Sequence, residues 1–219
     1  MTARPFVVAI DGPAASGKGT LARRLAEHFG FAHLDTGALY RATALLVLEH
    51  AGDPADPPTA ASAAGLVHPG LLSDPRLRSE AVSAAASIVA TLPVVRRALL
   101  GLQRDFAAHP PKPAKGAILD GRDIGSVVCQ GAEVKLFVTA SAEERARRRF
   151  AELRQQGAAA ILEDVLQDLK ERDARDTERR AAPLIAALDA TVIDTTTLDA
   201  DTVFERVSNL IARALTAQR

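Results

Sequence analysis

Pro5-Phe6-Val7-Val8-Ala9-Ile10-Asp11-Gly12-Pro13-Ala14-Ala15-Ser16-Gly17-Lys18-Gly19-Thr20 is the stretch that decides the fold. The apolar run Phe6–Ile10 reads as a buried strand. Gly12 and Gly17 allow a tight turn whose backbone N–H groups face inward. Lys18 adds a point charge with the reach to meet the outer phosphates of a nucleotide. Leu21, Leu25 and Phe29 then recur at helical spacing, and the positive end of that helix faces the same turn. Strand, glycine-rich turn and helix together predict a phosphate cradle formed by Gly12, Pro13, Ala14, Ala15, Ser16, Gly17, Lys18, Gly19 and Thr20. An ordinary turn that holds no ligand is disfavoured by the strand before it and the helix after it.

Composition narrows what surrounds the cradle. The chain has 219 residues, enough for one large domain or a core with small insertions. Apolar residues make up 47%, but aromatics only 4% and Trp is absent, so the core must be built from Ala, Leu, Val and Ile. Lys and Arg equal Asp and Glu at 27 each. That balance argues against a nucleic-acid partner, and a phosphate site must then rest on local arginines. Cys129 is the only cysteine, which excludes an intramolecular disulfide and a Cys-based metal cage. His28, His33, His50, His68 and His109 show no metal-ligand spacing. The first apolar run ends at Asp11 and is too short for a signal peptide or a membrane span. A soluble, cytoplasmic monomer with no membrane partner is expected.

Along the chain, a second helix is predicted over Ala38–Glu49, after the turn Asp35-Thr36-Gly37. Pro54, Pro57, Pro58, Pro69 and Pro75 are expected to break any regular element between Ala51 and Pro75. Ser79–Ala90 reads as a helix. Pro93 suits the first turn of the next, with Val95, Leu99, Leu102 and Phe106 on one face. Further buried strands are predicted at Ala117–Leu119, Val134–Val138 and Thr191–Ile193. Ser141 with Glu144 resembles a capping box, and Gly157 is placed to interrupt a helical hairpin. The last helix turns Val203, Val207, Leu210 and Ile211 inward. Strands alternating with helices predict a mostly parallel sheet covered on both faces, with ligands at its carboxyl end.

Three more segments carry chemistry. Leu34-Asp35-Thr36-Gly37-Ala38-Leu39-Tyr40-Arg41 offers a helix cap and, one turn in, an arginine suited to phosphate. Ile118-Leu119-Asp120-Gly121-Arg122-Asp123-Ile124-Gly125 runs from a buried strand into Asp120, the position of a strand-end carboxylate that helps hold Mg2+ in P-loop proteins. Arg145–Arg180 is rich in arginine and acid. Most of it suits a solvated helix face. The knot Glu171-Arg172-Asp173-Ala174-Arg175-Asp176-Thr177-Glu178-Arg179 is denser and suits closure over a triphosphate.

Taken in order, the cradle with its Gly-Lys-Gly-Thr ending, Leu34–Arg41, Asp120–Gly125, Glu171–Arg179 and Asp194-Thr195-Thr196-Thr197-Leu198 resemble the bacterial cytidylate kinases, a family of P-loop nucleoside monophosphate kinases. The resemblance runs from about residue 6 to 215. It implies a five-stranded parallel sheet flanked by helices, with a core over 1–50, 114–145 and 182–219. It also implies a monophosphate-binding region over 51–113 and a helical lid over 146–181. ATP and Mg2+ are implied, with the ion met by Thr20 and Asp120, partly through water. Arg41, Arg122 and Arg179 match the arginines that hold the monophosphate. Thr36 is placed with them among the implied substrate-binding residues. Ser87, Arg96 and Asp123 match residues that read cytosine, and Asp176 one that holds the sugar hydroxyls. Lys18, Arg122, Arg172 and Arg175 are the implied catalytic cations. The loop after Ile193 would lie against adenine. The segment Gly52–Pro75 departs from the family, since many members insert a small antiparallel sheet there and this chain shows no alternating strand pattern.

The implied activity is transfer of the ATP γ-phosphoryl group to CMP or dCMP. The nearest alternative is another small-molecule P-loop kinase with UMP or AMP as acceptor. A guanine-reading switch is excluded, because it needs an Asn-Lys-x-Asp loop and the only asparagine is Asn209, followed by Leu210. A nonenzymatic nucleotide-binding module would have little use for a second set of arginines.

Overall fold

The computed structural model describes residues 4–217. Within them lies a sheet of β1 (Phe6–Asp11), β2 (Ala32–Asp35), β3 (Gly116–Gly121), β4 (Val134–Thr139) and β5 (Thr191–Asp194). The strands lie in the order β2-β3-β1-β4-β5, and every pairing is parallel. Eight α-helices surround the sheet: α1 (Lys18–Phe29), α2 (Thr36–Glu49), α3 (Pro57–Gly65), α4 (Glu80–Val89), α5 (Pro93–Ala108), α6 (Ala142–Gln155), α7 (Leu162–Glu178) and α8 (Ala200–Ala217).

Side chains on β1 alternate between two cores, which is why its sequence is apolar from Phe6 to Ile10. Val7 and Ala9 join Leu119 and the inner faces of α2 to α5. Val8 and Ile10 join Ile118, Leu136, Val138, α1 and α8. Val203, Val207 and Ile211 are buried on α8, and Leu210 packs at the margin of the same core. A third, small core of Ala14, Ala146, Leu153, Val165 and Leu169 ties the α6–α7 hairpin to the loop after β1. Gly157, at φ +78°, lies between the two hairpin helices.

Four sequence expectations need correction. The segment Ala51–Pro75 is not free of regular structure: α3 lies inside it. Pro57 and Pro58 occupy its first turn, where a missing N–H costs nothing, and the Asp56 carboxylate caps it by accepting from Thr59 N. Leu102 is exposed, and Gln103 is buried in its place. Its amide donates to the Leu99 carbonyl within α5, so its polarity is satisfied there. Strand β2 begins at Ala32, in a stretch that carries no apolar run, and α2 starts directly after it at Thr36. The Ser141 cap is half of the expected box. Its hydroxyl accepts from Glu144 N, whereas its own N–H donates to Thr196 Oγ1.

Candidate active site

The loop between β1 and α1 closes against the sheet. Gly12 has φ +150°, and a Cβ there would lie 2.0 Å from the Val138 carbonyl oxygen, so no other residue fits. Gly17, at φ +89°, leads into α1. Ala15 is held at φ +59°, a conformation that costs a non-glycine residue of order 1 kcal/mol and clusters at ligand-holding loops. Lys18 donates to the Pro13 carbonyl at 3.0 Å. Burial, with Arg122 adding repulsion, depresses its ammonium pKa to about 7. Behind the loop, Asp11 accepts from the N–H groups of Ile124 (2.6 Å) and Gly125 (2.8 Å). Burial nonetheless pushes its carboxyl up to about 6. Asp11 thereby ties the cradle strand to the turn that follows Asp123. The buried Arg145 makes a second tie. Its Nη1 donates to the Ala14 carbonyl and its Nη2 to Asp173 Oδ2 on α7 at 2.7 Å.

A polar cleft of about 410 Å³ opens in front of the cradle, a size that suits a small ligand. Lys18, Arg41, Arg122, Arg172 and Arg179 all line it. Arg41, one turn into α2, pairs with Asp35 at 2.6 Å. Burial raises the Asp35 carboxyl, but Arg41 outweighs it and holds the acid below the usual carboxylate range. Arg122, at the tip of β3, pairs with Asp176 on α7 at 2.8 Å. Burial likewise opposes the Asp176 charge, and Arg122 again prevails and lowers its pKa. Arg172 is the least compensated: burial and the nearby Arg122 bring its pKa down to about 10. Arg172 Nε and Arg179 Nη2 are buried with no hydrogen-bond acceptor within the described residues. Guanidinium groups of depressed pKa, with unused donors, facing one cleft make a site for a multiply charged anion.

One wall of the cleft is built differently. Arg96 on α5 pairs with Asp123, and both side chains are almost fully buried. Arg96 also lies over the Tyr40 ring, 5.4 Å from its centroid. Burial works against the Arg96 charge, but Tyr40 and Asp123 outweigh it and raise its pKa. Arg179 approaches Asp123 and Asp176, at 3.7 Å each. Ser87, buried on α4, lines the same wall, and its hydroxyl accepts from Arg175 Nε at 3.2 Å. Arg175 itself does not line the cleft and is partly exposed.

Asp120, next to last in β3, lines the same cleft. Its Oδ1 meets His33 Nε2 at 2.7 Å, and its backbone carbonyl accepts from the Thr36 hydroxyl at 2.8 Å. Thr36 is therefore engaged in joining β3 to α2. Thr20 is not brought beside Asp120 in this cleft. It is exposed, accepts from Arg23 Nη2, and lines a neighbouring cavity of about 360 Å³ with Ser16, Gly17, Arg148, Thr195 and Leu198. The loop after β5 thus faces that second cavity, where Arg148 is held by Glu144 Oε1 and by the Thr195 hydroxyl and carbonyl. Among the described residues, no cluster of three or more His, Cys, Asp or Glu side chains is placed to hold a metal unaided.

Several side chains escaped the sequence reading: Asp35 as the partner of Arg41, His33 against Asp120, Tyr40 beneath Arg96, and Arg145 and Arg148 as supports. Arg148 and Arg145 sit in an arginine-rich helix and carry no local signal that separates them from their solvated neighbours. Asp35 could have been found from its N-cap position six residues before Arg41.

A P-loop facing a cleft lined with arginines defines a kinase that acts on small phosphorylated molecules. Residues 8–213 match the family model described as Cytidylate kinase. The chain is 53% identical to the cytidylate kinase of Rhodospirillum rubrum, over 94% of this chain and 97% of that one. It is 55% identical to that of Paramagnetospirillum magneticum, with the same coverage of both. It belongs to the cytidylate kinase family. A crystal structure of an uncharacterized protein from Eubacterium ventriosum shares the fold, with a TM-score of 0.53 at 14% identity over 94% of this chain and 98% of that one.

Proposed function

We propose that this cleft transfers the γ-phosphoryl group of ATP to a phosphate oxygen of CMP or dCMP, giving ADP and CDP or dCDP. The observation that carries the reading is the convergence of Arg41, Arg122 and Arg179 on the cleft that Lys18 also faces, beside the buried Arg96–Asp123 pair. The cradle holds the donor phosphates and the second cavity receives the donor nucleoside. Arg41, Arg122 and Arg179 hold the acceptor phosphate, and Asp176 holds the sugar hydroxyls. The acceptor oxygen is already ionised, so the reaction needs no general base. The bond from the γ-phosphorus to the β–γ bridging oxygen breaks as the bond to CMP forms, and ADP leaves with the bridging oxygen. Lys18, Arg122 and Arg172 neutralise charge along that path. Arg175, expected among these cations, lies outside the cleft and donates to Ser87 instead.

The donor set fits Mg2+ as kinases hold it, with one carboxylate beside substrate phosphates. Asp120 Oδ2 lies 3.7 Å from where a Gly19 Cβ would be, on the cradle side. Asp120 would hold the ion, and Thr20 would reach it only through water. The ion supplies charge neutralisation on the phosphates. Residues 51–113 serve as the monophosphate-binding region and 146–181 as the lid. Among the described residues no single helix is long and apolar enough to cross a membrane. We take the protein to be a cytoplasmic monomer in pyrimidine nucleotide metabolism.

Cytosine is favoured over uracil on this wall. A carboxylate accepts from the exocyclic amine and a guanidinium donates to the ring carbonyl, whereas uracil offers a carbonyl where the amine stood. A coupled ADP-release assay across CMP, dCMP, UMP and AMP is expected to give the highest kcat/KM with CMP or dCMP. A preference for UMP or AMP would refute the assignment.

The depressed Lys18 pKa has a measurable consequence. Phosphate charge beside the amine raises its pKa again, so ATP binding at pH 8 takes up about one proton at this site. Calorimetry in two buffers of different ionisation enthalpy reads that uptake. Identical apparent enthalpies in the two buffers would contradict it.

A further inference from the structure

We infer that His33 is a positioning residue for donor binding: by pinning one oxygen of Asp120, it aims the other at the phosphate cradle. This rests on the reading of Asp120 as the carboxylate that meets the metal. The juxtaposition follows from the sheet. On the edge strand β2, Asp35 is level with Asp120 of β3 and His33 is level with Ile118, so His33 stands one pleat away on the side of Asp120. Its Nε2 lies 2.7 Å from Oδ1, and the carboxylate oxygen accepts, so Nε2 carries the proton. The Asp120 side chain is 5% exposed and that of His33 18%, so water competes little for this bond.

The backbone of Asp120 is fixed as well, because the Thr36 hydroxyl donates to its carbonyl at 2.8 Å. What remains free is rotation of the carboxylate about its last torsion, which is broad and roughly two-fold for an aspartate. His33 removes that freedom. Oδ1 is held toward β2, and Oδ2 is left on the side of Gly19, with only an absent Cβ between it and the start of α1. A hydrogen bond behind an oxygen ligand that fixes its direction is worth roughly 10- to 100-fold in metal affinity. Lys18, the nearby cation, donates to the Pro13 carbonyl and not to Asp120.

The test compares His33→Gln with His33→Asn in the full-length protein. The Gln amide nitrogen reaches the place of Nε2, and the Asn amide stops short of it. Both are polar and of similar size, so folding defects affect them alike. Calorimetric titration uses ATP with excess Mg2+ and, separately, ATP in EDTA. His33→Gln is expected to bind Mg-ATP within about threefold of the native protein, and His33→Asn about tenfold more weakly. Both should bind metal-free ATP within about twofold of native, with the KM for CMP unchanged. Equal Mg-ATP affinity in the two variants, or equal weakening of both forms of ATP, overturns the role of His33. Asp120→Asn separates the two readings. If it too leaves the Mg2+ dependence intact, Asp120 does not meet the metal. If it abolishes that dependence while the His33 variants behave alike, only the inference about His33 fails.

Discussion

Lys18→Ala is expected to fold as well as the native protein and to lose about three orders of magnitude in turnover. The loss follows from removing a preorganised cation from the place where charge shifts in phosphoryl transfer, and single groups of this kind contribute roughly 10²- to 10³-fold. The intact fold follows from the lysine's surroundings. Its one hydrogen bond is to the Pro13 carbonyl, and burial together with Arg122 already disfavours its charge. Removing it relieves repulsion, so thermal melting should occur no lower than in the native protein, and higher at low salt. Steady-state rates with ATP and CMP, alongside a melting curve, check both halves. A variant within tenfold of the native rate would exclude Lys18 from the chemistry.

Asp123→Ala should have the second largest effect, and on two quantities at once. Its carboxylate faces Arg96 and Arg179 with almost no access to water. Truncating it leaves two buried guanidinium groups without their shared acid, a change that costs about 3–5 kcal/mol when a buried pair is broken. The melting temperature should fall accordingly. The acceptor preference should shift as well. Losing an acceptor for the cytosine amine removes about 1.5–3 kcal/mol, or roughly 10- to 100-fold in kcat/KM for CMP. UMP has no amine to lose. The ratio of kcat/KM for CMP to that for UMP, measured well below the shifted melting point, isolates base reading from stability. If both acceptors lose equally, Asp123 is structural only.

Much of this architecture could be read from residues alone, and the reasons differ by element. Central strands β1 and β3 announce themselves because both faces are buried, which forces apolar residues in succession, whereas β4 shows the alternation of Val134, Leu136 and Val138 buried against one face. Edge strand β2 buries only Leu34 and carries His33 and Asp35, so nothing in its composition separates it from a loop. The helix α3 was hidden by its own start signal. A proline pair breaks a helix in its interior and favours one at its first turn, and only the preceding Asp56 tells these apart. In α5 the helical phase was right at Val95 and Leu99 and slipped by one residue at Leu102, where burial passes to the neutral amide of Gln103.

The site divides in the same way. Cradle glycines and Lys18 lie in one short stretch whose spacing states its geometry. Arg41, Arg122 and Arg179 come from α2, the tip of β3 and the end of α7, and only family resemblance joined them in advance. Partners such as His33 with Asp120, 87 residues apart, have no local signal at all, since either residue suits an ordinary strand. Tertiary placement created that contact, and the parallel register of β2 on β3 is its cause.

The Arg145 guanidinium described above couples two motions. One nitrogen holds the carbonyl of Ala14 in the cradle and another holds Asp173 in the α6–α7 hairpin, all within a nearly dry setting. Arg145 and Asp173 both belong to the hairpin and travel together, so swinging it outward must either pull on the cradle or give up the hydrogen bond to Ala14, at a cost of about 1.5–3 kcal/mol for a bond from a charged donor. With the hairpin acting as the proposed lid, uncovering the nucleotide and slackening its grip would be a single mechanical event, and spent donor would leave through the same movement that exposes it.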